Sequence, residues 1–169
     1  MQRHSLRGND WTRLALDRYL DMVYRLAYAR MRSRQDAEDV SQEVMLKLCK
    51  STGKIESETH LRHWLIRVTL NECTNLFRSA WRRSTLPLEE GMLPAIEDIP
   101  ASNDRLDAAL AKLKPDQRAV IHLFYYEDMS TDEIARALKV KPTAVRERLH
   151  RARKKLNQLL VGEGADGNV

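Results

Sequence analysis

The residues of this chain best suited to direct chemistry are cationic, and they are concentrated towards its C-terminal end. The stretch PTAVRERLHRARKKL, residues 142–156, contains six Arg or Lys residues, and Glu147 is its only acid. Guanidinium and ammonium groups bind phosphate oxygens, and a guanidinium can also donate two hydrogen bonds to a guanine edge. The stretch could therefore lie against nucleic acid, against a membrane surface, or in solvent as an ordinary surface helix.

The spacing of the apolar residues predicts a helix with one narrow apolar stripe over this stretch. The stripe consists of Val145, Leu149, Ala152, Leu156 and Leu159. At about 100° per residue, the charged residues fall on the opposite face or at its flanks. A membrane-surface helix needs a face of large apolar side chains, so the narrow stripe disfavours lipid. The excess of positive charge favours DNA.

The residues before this helix predict a helix-turn-helix. Ser130 and Glu133 have the spacing of a capping box, in which each side chain accepts a hydrogen bond from the other residue's backbone N–H. The short helix that they begin is followed by a predicted four-residue turn at residues 139–142. In this motif the second helix enters the major groove and reads base edges from its N-terminal half.

A second charged segment, DAEDVSQE at residues 36–43, contains four acids and no base. On a helix these carboxylates could face a partner surface that bears Arg and Lys. The acids of the first turn could instead complement the helix dipole. A divalent-metal site is disfavoured, because neighbouring acids point in different directions around a helix.

The third charged segment, residues 60–83, contains five arginines and one acid, Glu72. Its apolar periodicity also predicts a helix, and Trp64, Leu65 and Val68 are expected in the core. His60, His63 and Cys73 are residue types that bind metals. Three ligands at irregular spacing do not predict a zinc site.

The organisation of the whole chain indicates an all-α protein with two small helical domains. Apolar residues recur at three- and four-residue steps on both sides of residues 84–104. That intervening segment contains five acids, no Lys or Arg, and three of the five prolines of the chain, which predicts a flexible acidic linker. We expect domains at residues 11–83 and 105–160 and a disordered tail at residues 161–169.

Composition limits the class of protein further. The formal net charge of the 169 residues is +5, which favours a polyanionic partner. Two cysteines make no disulfide framework, and no stretch approaches the roughly 18 apolar residues that span a bilayer. We expect a soluble, cytoplasmic protein without membrane insertion. The chain contains no recognisable phosphate loop, catalytic triad or metal-ligand pattern, so we expect no enzymatic activity, metal or cofactor.

Three stretches resemble one family, the extracytoplasmic-function (ECF) sigma factors of the sigma-70 superfamily. DMSTDEIARALKVKPTAVRERLHRARKKL, residues 128–156, resembles their region four, a helix-turn-helix that reads the −35 promoter element. DAEDVSQEVMLKL, residues 36–48, resembles the region-two helix that docks on core RNA polymerase. HLRHWLIRVTLNECTNLFRSAWRR, residues 60–83, resembles the adjoining segment that contacts the −10 element.

The resemblance implies three sets of site residues and three partners. Core-polymerase binding would involve Asp36, Glu38, Asp39, Gln42, Glu43 and Leu46. Contact with the −10 element would involve Asn71, Asn75, Arg78, Arg82 and Arg83. Contact with the −35 element would involve Thr143, Arg146, Glu147, Arg148, His150, Arg151 and Lys154. The implied partners are core RNA polymerase, promoter DNA and an anti-sigma factor, and the implied function is transcription initiation at specific promoters.

The chain departs from the family pattern around the turn of the helix-turn-helix. Lys139 stands where Gly is usual, and Thr143-Ala144 stands where Gly-Thr is usual. Lys139 must therefore adopt a turn conformation that Gly adopts more easily. Glu147 replaces a small polar residue and could either accept from a base amino group or pair with Arg151.

Two other classes of protein remain open at this point. One is a stand-alone helix-turn-helix transcriptional regulator whose first domain dimerises or binds a ligand. The acidic segment followed by the basic segment 60–83 argues against it. The other is a nucleic-acid enzyme that would use the acids of residues 36–43 with a divalent metal.

Overall fold

The computed structural model describes residues 8–83 and 104–162, and the chain divides into two compact units, Met1–Ala95 and Ile96–Val169. Both units are helical and the described ranges contain no strand, so the predicted all-α class is confirmed. The predicted linker lies outside the described residues, except for Asp104, which begins a helix. The predicted tail also lies outside them from residue 163 onward.

The described part of the N-terminal unit begins with helix α1, Gly8–Leu14, ahead of the predicted domain start at residue 11. A π-helical turn, Ala15–Tyr19, leads into α2, Leu20–Met31. Helix α3 is Arg34–Ser51 and is followed by a 3-10 turn at Thr52–Lys54. Helix α4 is Glu58–Arg83 and includes the whole basic segment from residue 60.

The core of this unit lies where α2, α3 and α4 pack on one another. The completely buried apolar side chains include Val23, Leu26, Val44, Leu48, Leu61 and Leu65. Burial of one such side chain stabilises the fold by about 1.5–3 kcal/mol. The remaining expected core residues, Trp64 and Val68, are only half-buried.

The π-helical turn changes the face of the chain that points inward. Leu16 and Leu20 belong to the apolar pattern in the sequence, yet they are 47% and 38% exposed. A π-helical turn contains more residues than an α-helical turn, so it shifts the orientation of the residues that follow. Ala15 and Val23 point inward instead, both with no exposed surface.

The C-terminal unit is built around its last helix. Its helices are α5, Asp104–Ala111; α6, Pro115–Ile121; α7, Thr131–Leu138; and α8, Pro142–Gly162. A π-helical turn, His122–Tyr126, follows α6. Pro115 is the first residue of α6, a position that suits proline because the N–H it lacks would have no partner there anyway. Helix α8 packs against α5, α6 and α7.

The helix-turn-helix has the predicted capping box. Ser130 Oγ accepts from the Glu133 backbone N–H at 3.1 Å, and Glu133 Oε2 accepts from the Ser130 backbone N–H at 2.9 Å. Lys139 ends α7 in the left-handed conformation, with φ 54° and ψ 46°, which confirms the turn conformation expected where Gly is usual.

The limits of α8 differ from the predicted ones at both ends. Pro142 is the first residue of α8, so the turn ends at residue 141 rather than at 142. Proline favours this first helical position because its fixed φ is already helical. At the other end α8 continues to Gly162, two positions beyond the expected domain end at residue 160.

Candidate functional site

The acidic segment forms the exposed face of the first half of α3. Ser33 precedes the helix, and its Oγ accepts from the Asp36 backbone N–H at 3.2 Å. Ala37, Val40 and Val44 are buried on the inward face. The outward face, called here the acidic ridge, consists of Glu38, Asp39, Gln42, Glu43 and Leu46, all exposed. Asp36 is half-buried, so it contributes less to this surface.

Leu46 gives the acidic ridge an apolar contact point. Its side chain is 55% exposed although the neighbouring turn of α3 buries Val44 and Leu48 completely. A ridge that combines carboxylates with one exposed leucine suits a protein surface that carries both basic and apolar side chains.

A groove between α3 and α4 joins two of the predicted sites. Asp39 and Glu43 of the acidic ridge line it together with Asn75 and Ser79 of α4, and its volume is about 340 Å³. The family resemblance implies that Asp39 and Glu43 bind polymerase and that Asn75 contacts the −10 element. In the folded unit these residues face the same space, called here the α3/α4 groove.

One wall of the α3/α4 groove contains an ion pair that crosses between the helices. The ammonium of Lys47 contacts the carboxylate of Glu72. Glu72 is the single acid of the basic segment, and its side chain is only 13% exposed. The pair neutralises a carboxylate that would otherwise repel DNA phosphates, so Glu72 does not conflict with a nucleic-acid contact along α4.

The outward face of α4 carries the predicted −10 residues whose side chains the structure describes. Asn71, Asn75 and Arg78 are exposed. Arg82 and Arg83 lie in the last turn of α4, where their side chains fall outside the described part of the structure. An amide can donate to and accept from a base edge, and a guanidinium can bind phosphate or base, so this face has groups suited to DNA.

The first turn of α4 is held by side chains of neighbouring residues and by Tyr19 of the π-helical turn. Ser57 Oγ accepts from the His60 backbone N–H at 3.1 Å, and Nδ1 of His60 accepts from the Glu56 backbone N–H at 3.2 Å. The Tyr19 hydroxyl donates to Glu58 Oε1 at 2.8 Å. Burial, together with this bond, raises the pKa of Tyr19 to about 12. His60 therefore has a local role in the helix start.

No metal centre forms among the described residues 8–83 and 104–162, since no three His, Cys, Asp or Glu side chains there are grouped to hold an ion. Cys73 is completely buried in the core, and this burial raises the pKa of its thiol to about 12. A thiol in that setting is neither a ready metal ligand nor a ready nucleophile.

Arg30 is a feature of this unit that the sequence reasoning missed. It lies in the last turn of α2 and is only 8% exposed. Its Nη2 donates to Thr74 Oγ1 of α4 at 2.9 Å, and its guanidinium carbon lies 5.5 Å from the centroid of the Phe77 ring. The sequence feature that could have revealed it is the position of Arg30 four residues after Leu26, where the helical period predicts an apolar residue.

Helix α8 separates its two faces cleanly in the half that follows the turn. Val145, Leu149 and Ala152 of the predicted stripe are buried, while Leu156 and Leu159 are half-buried. The predicted −35 residues Thr143, Arg146, Glu147, His150, Arg151 and Lys154 are exposed. Arg148 is half-buried and lies at the flank.

Two acids already interact with arginines of the exposed face of α8. Glu147 Oε1 accepts from Arg151 Nη2 at 2.6 Å, and both side chains are more than half exposed. Asp132 of α7 lies 4.0 Å from Arg146. Exposed pairs of this kind contribute about 0.2–0.5 kcal/mol, so DNA can displace them at little cost.

Arg153 has a structural environment that the sequence did not indicate. Its Nε donates to the Tyr125 hydroxyl at 2.7 Å, and its guanidinium carbon lies 5.0 Å from the Phe124 ring centroid. Tyr125 and Tyr126 are 56% and 60% exposed. Arg153 thus ties α8 to the π-helical turn, and its charge is placed beside the aromatic surface rather than on the reading face.

The described helices include none with the length and apolar character needed to cross a bilayer.

Two family models match the chain and together cover most of it. The model described as Sigma-70 region 2 matches residues 15–83. The model described as Sigma-70, region 4 matches residues 103–156. The two matches include all three charged segments.

Similar proteins of known family include two mycobacterial ones. The ECF RNA polymerase sigma factor SigE of Mycolicibacterium smegmatis is 34% identical over 161 residues, which cover 88% of this chain. The chain spans only 61% of the length of that relative. The ECF RNA polymerase sigma factor SigM of Mycobacterium tuberculosis is 31% identical over 146 residues, covering 85% of this chain and 74% of the relative.

Solved structures of similar fold include two protein complexes. The sigma factor RpoE from Bartonella quintana, bound to the anti-sigma factor NepR, has a TM-score of 0.71 and 24% identity. That similarity covers 91% of this chain and 98% of the other. CnrH, bound to the cytosolic domain of CnrY, has a TM-score of 0.66 and 25% identity, with 94% and 92% of the two chains covered.

Proposed function

Because this chain belongs to the ECF sigma factors of the sigma-70 family, we propose that it directs core RNA polymerase to a set of promoters and helps to open the DNA there. Sigma factors are generally not enzymes, and we extend this to the present chain. The observation that carries the proposal is the separation of exposed polar faces from buried stripes on α3, α4 and α8.

In this proposal α8 reads the −35 element from its N-terminal half. Its exposed face presents Arg146, His150 and Arg151 opposite the buried Val145 and Leu149. A helix with this arrangement can enter the major groove while its apolar stripe remains packed against the unit. Arg153 is held by Tyr125, so it would contribute a phosphate contact rather than a base contact.

The acidic ridge and the α3/α4 groove are the proposed docking surface for core polymerase. Asp39 and Glu43 are exposed carboxylates at the mouth of a groove, where they can accept paired hydrogen bonds from arginine. Leu46 supplies an apolar contact on the same helix. This arrangement fits a basic protein partner better than DNA, whose phosphates the carboxylates would repel.

The outward face of α4 is proposed to contact the −10 element as the strands separate. Asn71 can read an unpaired base edge, because its amide both donates and accepts. Arg78, and by the family resemblance Arg82 and Arg83, would bind phosphates or bases nearby. A stand-alone regulator with a helix-turn-helix is not favoured, because the match to region 2 includes residues 15–83.

We further propose that an anti-sigma factor binds this chain and that the chain acts in the cytoplasm. One solved structure described above contains a sigma factor bound by an anti-sigma factor, and the other contains CnrH bound by a cytosolic domain. Core polymerase and promoter DNA are cytoplasmic in bacteria, so the proposed activity would take place there.

Run-off transcription tests the proposal directly. The chain is mixed with core RNA polymerase and fragmented genomic DNA, and the transcripts are sequenced. The expected result is a defined set of start sites that share −35 and −10 elements and that core polymerase alone does not use. Binding of the chain to DNA without any core-dependent transcription would favour the stand-alone regulator, and metal-dependent DNA cleavage would favour the enzyme.

A further inference from the structure

Arg30 connects α2 to the middle of α4, directly beneath the segment assigned to the −10 element. Its Nη2 donates to Thr74 Oγ1 at 2.9 Å, and Thr74 Oγ1 donates in turn to the backbone carbonyl of Leu70 at 3.0 Å. The guanidinium also approaches the Phe77 ring, 5.5 Å from its centroid. The contacts of Arg30 thus extend over about one turn of α4, and Thr74 continues the hydrogen-bonded chain one turn further back to Leu70.

The inward contacts of this segment determine where its outward residues point. Asn71, Asn75 and Arg78 each directly follow one of the residues that Arg30 and Thr74 connect, namely Leu70, Thr74 and Phe77. Consecutive residues are separated by about 100° around a helix axis. A rotation of α4 at Thr74 therefore moves all three outward side chains by the same angle.

Stability alone does not account for an arginine at this position. Burial of a charged group costs free energy that its contacts only partly return, and a well-packed apolar residue is often as stabilising or more so. Leu26, one turn earlier on the same stripe, is such a residue and is completely buried. A planar guanidinium that bonds one side chain and faces a ring fixes direction in a way that an apolar side chain does not.

We propose that Arg30 is a positioning residue for promoter opening, because it holds α4 at the rotation that directs Asn71, Asn75 and Arg78 towards the −10 element. This inference rests on the proposed function. It adds a residue that does not itself touch DNA and that lies on a different helix from the −10 contacts.

The test uses Arg30→Met, which keeps the length of the side chain and removes its charge and donors. Arg25→Met is the matched control, since Arg25 lies on the same helix but is exposed and pairs with Asp21 at 2.8 Å. Each full-length variant is combined with core RNA polymerase and with promoters recovered by run-off transcription with the wild-type chain. Permanganate reactivity of unpaired thymines then measures opening on each promoter and on single-base variants of its −10 element.

We expect Arg30→Met to reduce opening at least about tenfold, because small misplacements of positioned groups have large effects on the steps they serve. We also expect a smaller difference between the preferred and the substituted −10 sequences, since the base-reading side chains are no longer held in place. Affinity for core polymerase should fall much less than opening, by at most about threefold, because the carboxylates of the docking surface lie on α3 and only the single hydrogen bond of Asn75 moves with α4. The Arg25→Met control should match wild type in all three measurements.

Three results would overturn the positioning role. They are unchanged opening, an equal reduction on every −10 variant, and a parallel loss of core affinity that indicates general destabilisation. If Arg30→Met does not fold, Thr74→Val replaces it, because valine has the same shape and cannot accept the bond. A folded Thr74→Val variant with wild-type −10 preference would equally reject the inference. A wild-type chain that opens no promoter would reject the proposed function itself.

Discussion

The two units distribute their candidate functions over helices in different ways. In the C-terminal unit α8 alone carries both the buried stripe with Val145 and Leu149 and the exposed face with Arg146 and Arg151. In the N-terminal unit the candidate contacts are divided between α3 and α4, and the α3/α4 groove exists only because these helices pack together. The residues that share a face of one helix are determined by helical periodicity. The residues that share a groove between two helices are determined by how the helices pack.

The substitution with the largest expected effect tests whether the DNA-reading face of α8 depends on the buried stripe of the same helix. Leu149→Ala removes a side chain that is 1% exposed, and such core truncations cost about 2–5 kcal/mol. Amide hydrogen exchange followed by mass spectrometry should show faster exchange in α8 peptides and unchanged exchange in α4 peptides. Binding to −35 DNA should weaken in parallel.

Val161→Ala is the control for this experiment, because Val161 is 65% exposed on the same helix. Its effect should stay within about 0.5 kcal/mol. Full −35 binding by a Leu149→Ala variant whose α8 exchanges freely would show that the reading face does not depend on the stripe beneath it.

The second effect tests the docking surface of the N-terminal unit. Asp39→Lys with Glu43→Lys should weaken binding to core polymerase by at least about 2 kcal/mol, roughly thirtyfold in Kd. The reason is that both carboxylates are exposed at the groove, so reversal leaves the core intact but places like charges against a basic partner. Fluorescence anisotropy with labelled chain and core polymerase measures the change.

The matched control reverses two exposed acids of the same unit that lie outside the groove, Asp17→Lys with Glu56→Lys. It alters the net charge by the same amount and should leave core affinity close to wild type. Equal losses in both double variants would mean that core polymerase responds to overall charge, and the acidic ridge would then have no special role.

The sequence predicted single-helix features better than features between helices. The capping box at Ser130 and the buried first half of the α8 stripe follow from spacing and residue type, and the structure confirms both. The left-handed Lys139, which the family resemblance led us to expect, is also confirmed. Leu16 and Leu20 continue the three- and four-residue apolar spacing of the sequence, yet they are exposed because a π-helical turn breaks the regular period.

The partner of Arg30 and the α3/α4 groove could not be predicted, because they depend on which residues of distant segments meet. Arg30 contacts Thr74 across 44 positions of sequence, and helical periodicity contains no information about such pairs. The pairing of Arg153 with Tyr125 was missed for the same reason. The family resemblance therefore suggested which segments would contact polymerase and DNA, while packing decides which residues share a surface.

A third, smaller effect concerns base preference at the −35 element. In the structure Glu147 accepts from Arg151 at 2.6 Å, so reading a base would require Glu147 to exchange this partner for a cytosine or adenine amino group. If it does, Glu147→Ala should relax the preference at one or two adjacent −35 base pairs by about 1–3 kcal/mol, while general affinity holds or rises.

Competition binding with a library of −35 sequences measures this preference. Asp116→Ala, which removes an exposed acid from α6, is the control and should leave the preference unchanged. A Glu147→Ala variant with the wild-type preference at every −35 position would mean that Glu147 serves only as the surface partner of Arg151, a pair contributing about 0.2–0.5 kcal/mol.

The substitution with the smallest expected effect tests whether the α3/α4 groove serves both core binding and promoter opening. Asn75 lines the groove with Asp39 and Glu43, whereas Asn71, one turn earlier on α4, does not line it. Asn75→Ala should therefore weaken both core binding and promoter opening by about 0.5–1.5 kcal/mol each, the contribution of one hydrogen bond. Asn71→Ala should reduce opening alone. Parallel measurements of core affinity and permanganate reactivity on both variants separate the two cases. If Asn75→Ala affects opening but leaves core affinity unchanged, Asn75 belongs wholly to the DNA-binding face, and the N-terminal unit separates its two functions by helix as cleanly as α8 separates its two faces.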